Sequence, residues 1–189
     1  MLKELVLKNR SYRRFDEGFT IDERTLRELI DLARLSPSSI NLQPLKYIIS
    51  CTPDKNARIF PHLRWAQLLE GWEGPGEGER PSAYIIILGD TTIREKFGCD
   101  HGICAQSIML RATERGLGGC MIANIDRKGL RGDLNIADHL EILLVLALGK
   151  PAERVVIEPV GEDGDTKYYR DEEGVHHVPK RSLDEIIIG

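Results

Sequence analysis

Ser36-Pro37-Ser38-Ser39-Ile40-Asn41-Leu42-Gln43-Pro44 joins a helical pattern to a strand pattern, and the rest of the chain is organised around it. Its prolines fix their own φ angles and bias Ser36 and Gln43 away from the helical region. Hydroxyl and amide side chains, none of them charged, stand between the prolines. Such a segment can bind a polar ligand through backbone and side-chain donors, and an ordinary loop is the competing interpretation.

Helical periodicity precedes this stretch. One helix face is formed by Leu26, Leu29, Ile30 and Ala33. Thr20, followed three positions later by Glu23, predicts a capping box at the start of this helix. A shorter helix is expected over residues 2–8, with its apolar side chains on one face.

Strands and helices alternate after the stretch. Runs rich in β-branched residues predict strands at Lys46–Cys51, Ala83–Gly89 and Glu141–Leu148. Apolar periodicity predicts helices at Pro53–Leu69, Asp100–Gly116 and Asp126–Gly132. Because neither repeats nor an independent flanking segment is found, we predict a single domain over residues 1–189.

Two loops carry functional expectations. Gly71–Pro81 contains four glycines and two prolines, which predicts a mobile loop of the kind that forms lids or binding loops. Trp65 precedes it and Trp72 lies within it, and for both we favour core packing over stacking on a substrate. Near the C-terminus a turn is predicted at residues 171–174. The adjacent His176 and His177 should point to opposite sides of a strand, which argues against a shared metal ion.

Composition narrows the class of protein. With 41% hydrophobic and 30% charged residues, the chain is typical of a soluble globular protein. A net charge of −4 argues against a general nucleic-acid-binding or membrane-binding surface. The four cysteines form no CxxC pair, so reduced thiols are expected and no metal site is predicted. Because the start of the chain lacks a signal-peptide pattern, we expect a cytoplasmic protein.

Cations are concentrated at two places in this acidic chain. Lys8, Arg10, Arg13 and Arg14 fall within seven residues, and Lys180 and Arg181 form a second pair. Guanidinium groups bind phosphate bidentately, and the hydroxyl of Ser11 would add a further hydrogen bond. The pattern indicates a pocket for one small anion, with a solvated basic surface as the alternative.

Six short motifs, in order, resemble those of the nitroreductase family of flavin enzymes across nearly the whole chain. They are Arg10-Ser11-x-Arg13-x-Phe15, Ser36-Pro37-Ser38-Ser39-x-Asn41-x-Gln43-Pro44, Asp100-x-Gly102-x-x-Ala105-Gln106, Gly116-Leu117-Gly118, Leu148-Gly149-Lys150-Pro151 and Pro179-Lys180-Arg181. Asn9 departs from the family pattern, where many members have another basic residue. Leu45 departs as well, since an aromatic residue commonly follows Gln-Pro.

The resemblance implies an α+β fold, in which a mostly antiparallel central sheet is flanked by helices, and an intertwined homodimer with two FMN molecules at its interface. The implied FMN contacts are Arg10, Ser11 and either Lys180 or Arg181 for the phosphate, Arg13 for the N1/O2 edge, Pro37, Ser38, Ser39 and Asn41 from the partner subunit, and Met121, Ile122, Ala123 and Asn124 beside the isoalloxazine. A backbone N–H, that of Ala123, is expected to face N5.

The resemblance also implies a function. It predicts an FMN-dependent oxidoreductase that carries hydride from NAD(P)H to an electron-poor acceptor, such as a nitroaromatic or a quinone, by a ping-pong mechanism. Hydride leaves from flavin N5, so no catalytic side chain is expected. The alternatives are reductive dehalogenation, flavin fragmentation or ring dehydrogenation on the same fold. A flavin-binding or redox-sensing protein with little turnover, or a binding protein without flavin, are the alternatives outside the enzymes.

Overall fold

The computed structural model describes residues 1–189. The helices are α1 (Leu2–Lys8), α2 (Glu23–Leu35), α3 (Pro53–Ile59), α4 (Asp100–Glu114), α5 (Arg127–Leu134) and α6 (Leu183–Ile186). The strands are β1 (Phe15–Asp16), β2 (Leu45–Ser50), β3 (Ala83–Asp90), β4 (Gly118–Ile122), β5 (Leu140–Pro151), β6 (Val155–Pro159), β7 (Tyr169–Arg170) and β8 (His176–Lys180). No helix is both long enough and apolar enough to cross a membrane.

A five-stranded sheet, here called the large sheet, forms the centre of the fold. Its strands run in the order β1-β5-β3-β2, and β4 also pairs with β5. Every pairing in it is antiparallel. The predicted α+β fold with a mostly antiparallel central sheet is therefore confirmed.

Strand β3 explains why the large sheet is stable. All eight of its residues are buried, so the strand reads as an apolar run without alternation, as a strand covered on both faces does. Ile85 and Ile87 pack in a cluster with the apolar faces of α2 and α4. Tyr84 and Ile86 point the other way, into a second cluster that contains Phe15.

Helix α2 begins later than predicted. Its N-cap is Asp22, whose carboxylate accepts a hydrogen bond of 2.8 Å from the backbone N–H of Thr25. The predicted capping box at Thr20 is therefore wrong. Ile21 is 4% exposed and belongs to the core under α2, so the chain enters the helix only after this side chain is buried.

The helix predicted over Pro53–Leu69 is shorter than expected. It ends at Ile59 and is followed by a single 3₁₀ turn, Phe60–His62. Pro61 has no N–H to continue the helical hydrogen bonds. Leu63 then pairs as an isolated bridge with Ile125, which replaces the helical hydrogen bonds by tertiary ones.

The Gly71–Pro81 loop is fixed at its C-terminal half. The N–H of Phe15 donates to the carbonyl of Glu79 at 3.0 Å, and the Glu79 carboxylate pairs with Arg14 at 3.3 Å. Gly74 lies so close to Trp65 that a Cβ there would come within 2.7 Å of its Cδ1. Trp65 is accordingly 6% exposed and packed in the core, as favoured from the sequence.

A three-stranded sheet, here called the small sheet, follows the large one. β8 pairs in parallel with β6 and antiparallel with β7. The predicted turn is present, with the N–H of Gly174 donating to the carbonyl of Asp171 at 3.0 Å. His176 is 1% exposed, while His177 points to the other side, where it contacts carboxylates.

Candidate functional site

The two basic segments meet at one cavity of about 350 Å³. Five of the predicted site residues line it: Arg10, Ser11, Arg13, Met121 and Lys180. Its other walls include Gln106 from α4 and Gly119 from β4. Three cationic side chains and no carboxylate line the cavity, so its charge is suited to an anionic ligand.

The N-terminal basic segment is held beside β4 by the backbone. Ser11 forms a parallel bridge with Gly119, and the N–H of Tyr12 donates to the carbonyl of Gly119 at 3.0 Å. A Cβ at Gly119 would lie 2.3 Å from the carbonyl oxygen of Ala147. Only glycine lets β4 approach β5 this closely at that position. The backbone bridge from Gly119 to Ser11 in turn holds Arg10 and Arg13 at the cavity.

Arg10 is a partly buried cation without an anionic partner. Its Nη2 donates to the carbonyl of Val6 at 2.6 Å, and its Nε is buried without a partner. Loss of water on burial lowers the pKa of the guanidinium, an effect that nearby Tyr12 only partly offsets. An anion in the cavity would supply the missing partner.

Arg13 is more deeply buried and is held by its neighbours. Its Nη1 donates to the carbonyl of Ser11 at 3.1 Å and to His176 Nε2 at 3.0 Å. The guanidinium lies over the ring of Tyr168, 4.7 Å from its centroid. Its backbone N–H donates to the carboxylate of Glu153. The N–H groups on Nη2 and Nε have no acceptor within the protein.

His176 meets Arg13 as a neutral ring. Burial lowers the pKa of His176 to about 4, and the charge of Arg13 adds to the shift. A neutral imidazole has one acceptor nitrogen, and Nε2 must be that acceptor because Arg13 can only donate. The proton is therefore on Nδ1, which is buried without a partner.

Strand alternation along β8 separates the second basic pair. His176, Val178 and Lys180 all line the cavity. Arg181, one position further, is about half exposed and pairs with Glu185 at 3.3 Å. Of the two cations proposed for a phosphate, Lys180 lies at the cavity of its own subunit and Arg181 does not.

The predicted partner-side residues Pro37, Ser38, Ser39 and Asn41 do not line this cavity. Their loop is held by buried Asp100, which accepts from the Ser38 hydroxyl at 2.7 Å and from the Ser39 N–H at 3.1 Å. Asn41 has a positive φ of 57°, a conformation that costs energy outside glycine and concentrates at ligand-binding loops.

The four residues of the predicted Met121–Asn124 segment lie in different environments. Met121 lines the cavity, whereas the side chain of Ile122 is buried in the core. Ala123 is exposed, and its carbonyl accepts from Arg127 at 3.2 Å. Asn124 lines a different cavity of about 710 Å³. No group of His, Cys, Asp or Glu side chains is arranged to hold a metal ion.

The sequence reasoning missed Tyr168 and His176 as cavity residues. The sequence does carry a signal for His176, because alternate residues on a strand share a face and His176 lies four positions before the predicted phosphate ligand Lys180 on the same strand. Tyr168 had no such signal, because it precedes β7 and reaches Arg13 only through the folding of the small sheet.

Comparisons with known proteins agree on one family. The sequence profile of the Nitroreductase family matches residues 6–150. MhqN of Bacillus subtilis (strain 168), named as an NAD(P)H nitroreductase, is 24% identical over 187 aligned positions, which cover 77% of this chain and 86% of that one.

Solved structures share the fold. A nitroreductase family protein of Streptococcus pneumoniae TIGR4 superposes with a TM-score of 0.74 and 18% identity, covering 100% of both chains. A protein of Exiguobacterium sibiricum 255-15, named as a nitroreductase and solved in complex with FMN, gives a TM-score of 0.68 and 18% identity. That match covers 81% of this chain and 89% of the other.

Proposed function

Because this chain belongs to the nitroreductase family, whose profile matches residues 6–150, we propose that it is an FMN-dependent oxidoreductase that takes its electrons from NAD(P)H. The observation that carries the proposal is the cavity with three cationic side chains and no carboxylate. FMN is dianionic at its phosphate, so it supplies the charge that this cavity lacks. Two findings support the proposal: the Bacillus subtilis relative is named as an NAD(P)H nitroreductase, and one structural neighbour was solved with FMN bound.

Arg10, Ser11 and Lys180 are proposed to hold the phosphate. Arg10 retains a buried Nε without a partner, and Lys180 at the end of β8 lines the same cavity. Asn9, the departure from the family pattern, also lines the cavity and offers an uncharged amide. The chain therefore provides two cations, a hydroxyl and an amide for one anionic group.

Arg13 and the β4 segment are proposed to face the flavin ring. When bound, FMN supplies hydride transfer at N5, from NAD(P)H to an electron-poor acceptor such as a nitroaromatic or a quinone. A fixed guanidinium near N1 stabilises the anionic reduced ring. Arg13 fits this role because two of its nitrogen atoms have no protein acceptor. Met121 lines the same cavity and precedes Ala123, whose N–H is proposed for N5.

A homodimer is proposed to complete the site. The loop with Ser38 and Asn41 lies away from the cavity of its own subunit, so it can reach a flavin only in a second copy. Large apolar side chains around this loop are exposed, including Leu35 at 62% and Ile40 at 84%. An interface that covered these side chains would remove their apolar surface from water, which is favourable.

Binding of FMN to purified apoprotein tests the proposal. Lys180→Ala and Arg10→Ala should each weaken binding by about 1.5–3 kcal/mol, the range for hydrogen bonds to charged groups. Arg181→Ala is the matched control, since it removes a neighbouring cation that does not line the cavity, and little change is expected. Quenching of FMN fluorescence measures the affinity. Wild-type protein that binds no FMN would refute the function.

The acceptor class is tested separately. We expect the reduced holoprotein to be reoxidised by nitroaromatic and quinone acceptors under anaerobic conditions, with the return of flavin absorbance as the readout. Faster reoxidation by halogenated acceptors would instead favour reductive dehalogenation on the same fold. A bound flavin that NAD(P)H does not reduce would favour a binding or sensing role.

A further inference from the structure

The small sheet lies outside the family match but contributes to the cavity. The match ends at residue 150, and the small sheet begins at Val155. Tyr168 and His176, both beyond that boundary, line the cavity and contact Arg13. The environment of Arg13 is therefore built in part by residues that the family profile does not match.

The planar guanidinium of Arg13 and the rings of Tyr168 and His176 pack against one another. Arg13 lies 4.7 Å from the centroid of the Tyr168 ring, which is itself 5.2 Å from the centroid of the His176 ring. His176 Nε2 accepts from Arg13 Nη1 at 3.0 Å. Tyr168 thus supports the flat face of the guanidinium. His176, together with the Ser11 carbonyl that accepts from the same Nη1, fixes the rotation of the guanidinium in its plane.

No carboxylate contacts the guanidinium of Arg13, although the carboxylate of Glu153 accepts from the backbone N–H of the same residue. Arg14 and Arg170 pair with Glu79 and Glu153, while the Arg13 guanidinium has only neutral partners, although the residue is 9% exposed. A buried cation with only neutral partners costs solvation free energy unless a further electron-rich group accepts its remaining hydrogen bonds. The open donors on Nη2 and Nε are the positions left for that group.

We infer that His176 and Tyr168 are positioning residues that hold Arg13 so that its Nη2 and Nε donors stay available to the cofactor. This inference rests on the proposed function, in which Arg13 lies near flavin N1. Both residues line the cavity, but this role requires no contact between them and the cofactor. Their effect passes through Arg13, and it is greater for the reduced cofactor, because that form carries the negative charge that Arg13 stabilises.

The dissociation constants of oxidised and reduced FMN test this assignment. His176→Phe keeps a ring against Tyr168 but removes the acceptor, so the constant for reduced FMN should rise about tenfold, the factor for ~1.4 kcal/mol. The constant for oxidised FMN should rise much less. His176→Gln restores a neutral acceptor and should recover most of the loss. His177→Gln, one position along β8, is the matched control and should leave the ratio of the constants unchanged.

The outcomes separate this inference from the proposed function. Wild-type protein that binds no FMN overturns both. If the wild type binds FMN but His176→Phe leaves the ratio of the two dissociation constants unchanged, only the positioning role is overturned. The same conclusion follows if His176→Gln does not restore the ratio. It also follows if His177→Gln changes the ratio as much as His176→Phe does. If His176→Phe does not fold, Tyr168→Leu takes its place. It removes the ring under Arg13 and should shift the ratio in the same direction, and an unchanged ratio overturns the inference.

Discussion

The large sheet and the small sheet are built from different interactions. The large sheet is covered on both faces by apolar clusters that meet at β3, and all residues of β3 are buried. In the small sheet only His176 is buried, and the other strand residues are partly or fully exposed. Polar contacts hold it, including His177 between Glu158 at 2.8 Å and Asp171 at 3.0 Å.

This difference separates stability from site geometry. Apolar burial is non-directional and supplies most of the folding free energy, so the large sheet carries the stability of the protein. Hydrogen bonds and ion pairs require defined distances and angles, and the small sheet uses them to place Tyr168 and His176 around Arg13. The wall of the cavity should therefore respond to pH and to charge substitutions more than the scaffold does.

The largest effect is expected in the large sheet. Ile86→Ala should reduce the free energy of unfolding by about 4 kcal/mol, because it leaves a cavity in a fully buried cluster. Ile157→Ala in β6 is the control, and it should cost about 1 kcal/mol or less because Ile157 is already 36% exposed. Urea denaturation measures both. Equal losses would contradict the contrast between the sheets.

Glu153 joins the small sheet to the N-terminal basic segment, and its loss should have the next largest effect. Its nearly fully buried carboxylate pairs with Arg170 at 2.9 Å and also accepts from the N–H of Arg14 at 3.1 Å. Glu153→Gln leaves Arg170 without its counter-charge and should cost about 3 kcal/mol. Limited proteolysis should then cut the small sheet before the large one. Glu185→Gln, at an exposed pair, is the control, and simultaneous loss of both sheets would contradict the prediction.

The pH response should come from the small sheet, with opposite signs at its two histidines. Hydrogen bonds to Glu158 and Asp171 raise the pKa of His177. The stabilisation of the folded protein by His177 is therefore fully present below the ordinary histidine pKa of about 6.5, and it is lost as pH rises through the raised pKa. Burial lowers the pKa of His176 to about 4. Stability should therefore fall as pH falls from about 6.5 toward that value, because the unfolded chain takes up the proton first.

Hydrogen exchange of β8 amides between pH 4 and 8 measures this response. We expect protection to be greatest at intermediate pH, with both losses confined to the small sheet. In His177→Gln the loss on the alkaline side should disappear, while the loss on the acid side remains. The same pH profile in β3 amides would show that the two sheets titrate together and would contradict the assignment.

The smallest effect is expected at an exposed ion pair of the large sheet. Lys150 and Asp16 lie 3.7 Å apart, and both side chains are about half exposed. Asp16→Asn should change the free energy of unfolding by no more than about 0.5 kcal/mol, since exposed pairs are screened by water and salt. Thermal unfolding at low and high salt measures it. A larger, salt-independent loss would show that charge also stabilises the scaffold.

Much of the fold was predictable because local patterns and tertiary packing agree in it. The apolar face of α2 and the run of β3 are visible in the sequence. The run of β3 is fully buried, and so is the α2 face except for Ile30, which is partly buried. The errors lie at boundaries, where tertiary contacts compete with local signals. Burial of Ile21 moved the cap from Thr20 to Asp22, and the pairing of Leu63 with Ile125 ended the predicted helix early.

The charged residues of the candidate site could be predicted from the sequence, but the residues that hold them in position could not. Arg10, Arg13 and Lys180 stand out as cations in an acidic chain, and they share one cavity. The roles of Tyr168 and His176 depend on how the small sheet turns back over Arg13. No local pattern encodes a contact between residues more than 150 positions apart.

The sequence by itself determined the class of elements, the family and the cations that mark an anion site, because residue type and spacing carry hydrophobic period and charge. Only the tertiary structure decided that Lys180 rather than Arg181 faces the cavity, and that the loop at Ser36–Pro44 lies away from it and is held by Asp100. Both depend on strand register and on contacts between distant segments. Those contacts are set by how apolar faces pack together, and no single segment contains that information.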